Sequence, residues 1–499
     1  MAELVTRLIG LGDAERRKWA ERRHKDYDTW WASWGVLQDA YDGAGGFLNG
    51  DYLWRFPRED GDKFKERKTQ ARYHNYTEAL VDLLTRYVFA KPPVRTSTSE
   101  PLMAWWNDVD RGGADMTTWM QRSLSQALAV GHSGVLMDKP AVVPTGPSRA
   151  DERGLEPFLR RYAPLHIPDW RVSGTRLIAV KLLDEAPIED VLEGASDKPD
   201  ALVWDETEWL RLREDGSIRA QGTHDLGAVP FDVLRPQSAE RFPLIGKPLI
   251  NANVPRALYN RASEEDDVLR NQAFSLFVVK LPVDADVEKA KTQMGGDVGT
   301  TSALFVQGDA DYSTPSQEVP ATLREAQQYL VREMYRMCHV RYDSDSREAE
   351  SAESIRLKNA DLNQMLAGLA SECTRHETVL AQHWFRWMAP ANADAAYQQA
   401  EVVIAYPREF FTAGLLVELE ELARAMALGL GPTFEARLRN RVVDRMDPDL
   451  DEQTRETVRG EIEQATAQKQ QQAQAGAVLE ADALRQNAAT RLARFAEGA

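Results

Sequence analysis

Between residues 352 and 388 the apolar side chains return every seven residues. Ile355, Leu362 and Leu369 form one register; Leu366, Cys373, Leu380 and Trp387 form a second. A strand repeats every two residues and cannot carry that spacing. Two turns of α-helix can, and a sustained heptad marks a helix packed lengthwise against its neighbours. The spacing therefore predicts the longest helix of the chain over about 352–388, closed by Pro390.

Two further long helices precede it. Asn253 to Asn271 reads as one, with the acidic cluster Glu264, Glu265, Asp266 and Asp267; Pro255 is acceptable there only if the helix starts near Asn253. Thr322 to His339 reads as the other, with Leu323, Leu330, Met334 and Met337 on one stripe. At ~1.5 Å per residue each spans about 25–30 Å. Between them lie a strand-like run, Phe274–Leu281, a stretch holding Gly295, Gly296 and Gly299, and a short strand, Ala303–Gln307. After them comes a polar break, Arg341 to Ser351. Two helices running out and back around a small tip build a stalk. Amphipathic helices that cannot bury both faces within one chain point to a ring of identical subunits.

The first half alternates in character. Leu4, Leu8 and Leu11 repeat at helix spacing, Trp19, Trp30, Trp31 and Trp34 follow, and Gly43, Gly45 and Gly46 interrupt; an amphipathic helical region on a core is expected. Tyr76, Leu80, Leu83 and Tyr87 form one face of a helix with Asn75 and Glu78 as a capping box, ended by Pro92 and Pro93. A second helix is expected from Asp115 to Val130, stopping at Gly131. From 134 to 235 the period becomes two. Gly134–Asp138, Phe158–Ala163, Arg176–Leu183, Trp209–Arg213 and Val229–Arg235 read as strands, and Asp215-Gly216 as the turn joining Trp209–Arg213 to Ile218–Gln221. Residues 140–156 read as a loop. Two or three helices are expected in 410–470, and 466–499 reads either as a solvated helix or as disordered.

Composition limits the function classes. In 499 residues, 43% are hydrophobic and no apolar run is long enough to span a membrane. The N-terminal segment lacks the apolar core of a secretory signal. Cys338 and Cys373 are the only cysteines, which excludes a disulfide framework and fits a reducing compartment. Acids outnumber bases by 78 to 61, for a formal charge of −17. Such a surplus argues against a protein that grips nucleic acid through clustered Lys and Arg.

The chemical motifs are missing too. No Gly-x-x-x-x-Gly-Lys-[Ser/Thr] loop occurs, since Gly246-Lys247 is followed by Pro248 and position 241 is Arg. Gly131-His-Ser-Gly is one residue short of a nucleophile elbow. Cys373, His376 and His383 share a helix face, but ligands on one straight helix converge poorly on a tetrahedral ion, and both histidines fall in the register of Leu362; a packing face is the expectation. No catalytic residue, metal ligand or cofactor site is predicted.

The order of elements resembles the portal, or head–tail connector, proteins of tailed bacteriophages over roughly 15–470. Several local stretches carry the resemblance: Tyr73-His-Asn-Tyr-Thr-Glu-Ala-Leu through Val88-Phe-Ala-Lys-Pro-Pro; Leu128-Ala-Val-Gly-His-Ser-Gly-Val-Leu-Met-Asp; Pro157-Phe-Leu-Arg-Arg-Tyr-Ala-Pro with Ile167-Pro-Asp-Trp-Arg; Lys247-Pro-Leu-Ile through Leu258-Tyr-Asn-Arg-Ala-Ser-Glu-Glu-Asp; and Ser351-Ala-Glu-Ser-Ile-Arg-Leu-Lys-Asn. Two positions depart from the family pattern, Ala352 where Gly is common and Pro255 inside the first stem helix.

The resemblance implies an α+β, mainly helical fold with wing, stem, clip and crown, assembling as a ring usually of twelve. Residues 1–249 would be the wing, 250–272 and 321–339 the stem, and 273–320 the clip. Residues 340–351 would be the tunnel loop, 352–388 the tunnel helix, 389–404 a linker, and 405–499 the crown and tail. It implies a non-enzymatic channel through which double-stranded DNA enters and leaves a capsid. The partners implied are the terminase large subunit, a head–tail adaptor, and the major capsid and scaffolding proteins. No membrane is involved, and the protein would reside in the virion, after assembly in the host cytoplasm. The DNA-facing tunnel-loop residues would be Arg341, Tyr342, Asp343, Asp345 and Arg347. The motor- or adaptor-docking clip residues would be Asp284, Asp286, Lys289, Asp297, Asp309 and Asp311. A ring of twelve would carry about −200 charges, a poor clamp but a workable sleeve, because a repelling wall favours sliding over binding. The alternatives are another helical ring or scaffold of a virion, or a Mg²⁺-dependent hydrolase or nuclease.

Overall fold

The computed structural model describes residues 4–57, 59–139, 156–185, 198–224, 226–236, 245–273, 277–281, 303–307, 318–342 and 359–408, with isolated positions elsewhere, mostly between 434 and 465. The expected loop at 140–156 lies outside this set but for its last residue, the helices of 410–470 are only sparsely represented, and the tail 466–499 falls wholly outside. Met1–Asp345 with Asp361–Phe410 forms one compact unit; Ser346–Ala360 with Phe411–Ala499 forms another. All elements that follow belong to the first unit, apart from the opening residue of the longest helix.

Helices lead the chain: α1 (Leu4–Ile9), α2 (Asp13–Glu21), α3 (Lys25–Asp42), the short α4 (Gly45–Leu48), α5 (Gly61–Gln70) and α6 (Tyr76–Val88). Within α1 the buried residues are Val5 and Leu8, whereas Leu11 lies past the helix end and is exposed, so the expected Leu4/Leu8/Leu11 face is corrected to one offset toward Val5. Gly43 terminates α3 in the left-handed conformation. Asn75 caps α6 as expected, but the return bond to Glu78 comes from its side-chain amide and not from its backbone N–H, so the box is not the reciprocal one expected. Asn75 accepts the Glu78 N–H at 2.9 Å, and its amide donates to the Glu78 carboxylate at 2.9 Å. Helix α8 (Met116–Val130) follows α7 (Glu100–Trp105), with Asp115 capping its start and Gly131 its end.

The strand-rich middle makes two antiparallel sheets. One has the order β3–β2–β9, from Phe158–Tyr162, Ser133–Asp138 and Phe231–Leu234. The other is a meander of β4 (Asp169–Ser173), β5 (Arg176–Asp184), β6 (Asp200–Asp205), β7 (Glu208–Leu212) and β8 (Ile218–Thr223). The Asp215-Gly216 turn joins β7 to β8 as expected, with Gly216 at φ 87°.

Strands β4 and β6 are absent from the period-two reading, and β6 shows why. Every residue from Asp200 to Asp205 is buried. Ala201 and Val203 pack under α1 and α2 with Val5, Leu8 and Trp19, while Leu202 and Trp204 point to the opposite core with Trp34, Leu136, Val180 and Phe231. A strand covered on both faces has no polar face and so no alternation. Lys181 on β5 is also buried. Its ammonium donates to Ala20 O at 3.0 Å and to Arg22 O, closing the last turn of α2, and burial brings its pKa down to about 8.

The second half holds α9 (Asn253–Ala273), β10 (Phe277–Leu281), β11 (Ala303–Gln307), α10 (Glu318–Met337) and α11 (Ala360–Met388). Helix α10 starts four residues before the expected Thr322. Pro320 does not stop it, because the first turn of a helix needs no N–H. Residues 352–358, expected as the start of the longest helix, lie outside the described set. Residues 389–404, expected as a linker, contain α12 (Ala393–Gln399) and end in β12 (Val403–Ala405), which pairs antiparallel with β1 (Val94–Thr96).

Candidate functional site

Helix α9 is anchored at its first half. Leu258, Tyr259 and Ala262 are buried, and Tyr259 meets Phe47 edge-on at 5.4 Å. Asn260 accepts the Trp54 N–H at 2.7 Å and donates to Tyr52 O at 3.0 Å. Arg67, paired with Glu59 at 2.7 Å, donates to Ser263 at 3.3 Å. These contacts tie the helix to α4, α5 and the segment between them at a point where its own acidic cluster has not yet begun.

The acidic cluster then meets α10. Glu265 accepts from Arg324, and from Gln327 at 2.6 Å, while Gln327 also donates toward Arg261 O at 3.4 Å. Partners that rise in number along one helix as they fall along the other make an antiparallel hairpin. Strands β10 and β11 follow and precede its two arms and pair with each other in parallel, Phe277 opposite Ala303 through Leu281 opposite Gln307. Leu269, Val319 and Tyr329 on the hairpin are exposed.

Helix α10 ends in a tight reversal. The Val340 N–H donates to Tyr335 O and the His339 N–H to Arg336 O, both at 3.0 Å, with His339 at φ 53°. This pattern is a Schellman cap with histidine where glycine is usual. It delivers Arg341 and Tyr342 to the surface, where the Tyr342 ring meets Tyr335 edge-on at 5.0 Å. Of the expected tunnel-loop residues these two are described and exposed; Asp343, Asp345 and Arg347 lie outside the described residues. Of the clip residues, Asp286 and Lys289 are described and exposed, the Asp286 carboxylate accepting the Lys289 N–H at 3.3 Å. Asp284, Asp297, Asp309 and Asp311 lie outside.

Helix α11 is held by buried and half-buried polar contacts that no spacing announces. Arg375 reaches Asp232 on β9 at 3.1 Å and Val233 O at 2.7 Å. Glu377, fully buried, accepts from Arg95 on β1 and from the Tyr406 hydroxyl at 2.8 Å. Trp387 donates to Met137 O at 3.1 Å. Burial alone would push the Asp232 carboxyl up, but the His376 hydrogen bond and the positive charge of Arg375 overcome it and hold the group at about 2. Leu362, Leu366, Leu369, Leu380 and Trp384 are buried along the same helix, each burial stabilising by about 1.5–3 kcal/mol. The expected packing face is thus present, and His376 adds a hydrogen bond to Asp232.

That arrangement bears on chemistry. His376 is engaged by Asp232, and Cys373 is fully buried, so the Cys373/His376/His383 face does not gather around an ion. Burial pushes the Cys338 thiol up to about 12, far from a reactive thiolate. Among the described residues no group of three His, Cys, Asp or Glu side chains converges as a metal site, and no helix is long and apolar enough to cross a membrane.

No protein-family model and no curated protein matches this chain. Several solved structures are similar in part. A chain of the virion of a native gene transfer agent particle is 13% identical, with a TM-score of 0.36, covering 79% of this chain and 95% of that one. A chain from the neck of the empty particle, computed with C6 symmetry, is 13% identical with a TM-score of 0.40, covering 75% and 92%. A chain from the neck of the native particle, computed with C12 symmetry, is 14% identical with a TM-score of 0.39, covering 78% and 95%.

Proposed function

We propose that this chain is a structural protein of a phage-like virion, and within it the portal subunit: one member of a ring around a channel for double-stranded DNA. The observation that carries the reading is the antiparallel hairpin of α9 and α10, with its parallel strand pair, turning at His339 straight into the exposed Arg341 and Tyr342. That succession has the order that the resemblance implies for stem, clip and tunnel loop, and α11 comes next in the chain, which supports the reading. Arginines in an otherwise acidic loop suit brief backbone contact with a moving duplex, since attraction to phosphate is offset by neighbouring carboxylates.

In this reading the exposed Leu269, Val319 and Tyr329 are covered by neighbouring stems. The protein has no chemistry of its own; a terminase motor docks on the clip and supplies the work, and a head–tail adaptor later replaces it. The ring sits in the virion with the major capsid protein around it and scaffolding protein during assembly.

Mass measurement of the purified full chain tests the reading. A discrete ring of about twelve subunits, with an axial hole in electron micrographs, is the expected result. A strict monomer at micromolar concentration, across a range of salt, overturns it.

A further inference from the structure

After α11 the chain runs through α12 and β12, and residues 411–499 continue from there into the second unit. This stretch is lightly held. Helix α12 is mostly alanine and glutamine, which favour a helix but offer little to bury, and none of its residues is buried. From Ala389 to Tyr406 the buried residues are Ala400, Ile404 and Tyr406. Tyr397 meets Phe385 edge-on at 5.8 Å, and Tyr406 meets Phe89 edge-on at 5.6 Å. Ala400 O accepts the Thr98 N–H at 2.9 Å and the Ser97 hydroxyl at 2.7 Å, Gln399 O accepts the Thr98 hydroxyl at 3.1 Å, and three residue pairs join β12 to β1. Between helix and strand Glu401 takes φ 44°, a left-handed conformation that costs a residue with a Cβ and not a glycine.

Tyr406 supplies the buried polar hold. Its hydroxyl donates to Glu377 at 2.8 Å and accepts from Arg95 at 3.3 Å. Glu377 does not depend on it. Arg95 meets both oxygens of that carboxylate, one through Nε and the other through Nη2 at 3.0 Å, and also donates to Thr117 on α8 at 2.7 Å. Arg95 on β1, Glu377 on α11 and Thr117 on α8 are thus a closed set that stays paired when Tyr406 leaves, and water can take the place of the hydroxyl. Departure of the strand strips no buried charge of its partner, which is the step that makes most buried ion pairs costly to open. We propose that residues 389–406 are a releasable strap. Helix α12 and strand β12 detach together, while β1 and α11 stay in place, and the connection to the second unit gains slack. A segment with so few buried groups opens at a lower free energy than the rest of the fold, and the left-handed Glu401 lowers it further.

Amide hydrogen exchange of the full-length chain, read by mass spectrometry over a urea series at neutral pH, tests the strap. In wild type, peptides covering 393–406 are expected to exchange faster than those of β6 and α8, and with a weaker dependence on urea. Y406F keeps the ring and removes the hydroxyl; it is expected to speed exchange in 393–406 about tenfold, as loss of a hydrogen bond to a charged group does, and to leave β6 unchanged. E401G relieves the left-handed turn and is expected to slow the same peptides severalfold. Thr96 and Val403 face each other across the ribbon. In T96C/V403C, oxidation is expected to slow α12 as well as β12, and reduction to restore both. Exchange of 393–406 at the rate and urea dependence of β6 overturns the proposal, because the stretch then opens only with the whole fold. Faster exchange in every peptide of Y406F overturns it too, as does an α12 that exchanges as before when T96C/V403C is oxidised. The strap goes beyond the portal reading and does not rest on it: a chain that forms no ring overturns that reading and leaves these comparisons standing.

Discussion

The Nδ1 atom of His376, on the long buried helix α11, lies 2.5 Å from a carboxylate oxygen of Asp232 on strand β9. His376 is fully buried and its Nε2 has no hydrogen-bond partner among the described residues. The contact joins elements 144 residues apart and fixes how α11 lies against the three-stranded sheet. Truncating either partner leaves the other short of its compensating group. D232N is expected to destabilise the protein by about 2 kcal/mol in urea unfolding at neutral pH. The D232N/H376Q double variant should lose less than the sum of the single losses, because the pair acts as one unit. Because the Asp232 pKa of about 2 is below the unfolded value of about 3.9, its contribution is present above pH 4 and disappears as pH falls through 2.

Two other histidines predict an acid limb at higher pH. His132 and His383 are both buried. Burial, with Arg235 near the first and Arg386 near the second, brings their pKa values down to about 3 and about 4. The unfolded chain takes up these protons near pH 6.5 and the folded one does not. Stability from this source is therefore complete above pH 6.5 and falls as pH drops toward 4. The slope should reach about 1.4 kcal/mol per pH unit for each group. Thermal melts of wild type and H383Q between pH 7 and 4.5 check this: the variant should lose stability less steeply.

The cap of α10 predicts a gain. His339 occupies a left-handed conformation that costs an L-residue about 1 kcal/mol and glycine little. H339G should stabilise by up to about 1 kcal/mol, and H339V should destabilise by at least as much. Equal melting temperatures for all three chains would show that the reversal after Met337 is set elsewhere.

Removal of Tyr342–Glu350 tests the segment that follows. Its described residue, Tyr342, is exposed, as is Arg341 just before it. The deletion is expected to leave rings unchanged by mass and image, and to reduce the DNA packaged or retained in assembled particles. Loss of ring assembly would instead make the segment a structural strut.

Legibility from sequence followed the range of the interactions. Asn75 announces its cap on α6, and Glu78 its pairing with Asn75, because both partners lie within one helical turn. Asp215-Gly216 announces its hairpin because only a left-handed residue closes that turn. The strand Asp200–Asp205 was invisible because its two faces meet two different cores, and no local pattern records what covers a strand. Strand β12 went unread for a similar reason: three residues suffice only because Val94–Thr96 waits to pair with them.

The sequence by itself determined the periodic parts of this protein: a heptad helix ending near Pro390, two long helices enclosing a short strand module, and a strand-rich middle. Those features come from local sterics and from the spacing of apolar groups, which act whatever the rest of the chain does. Only the tertiary structure decided the polar contacts. Asp232 finds His376 and Arg375, and Arg95 finds Glu377, because the fold brings distant residues together and burial makes each charge depend on its neighbour. A chain with a surplus of acids reads, residue by residue, as an acidic surface. Folded, it also encloses acids such as Glu377, which Arg95 meets from a distant part of the chain.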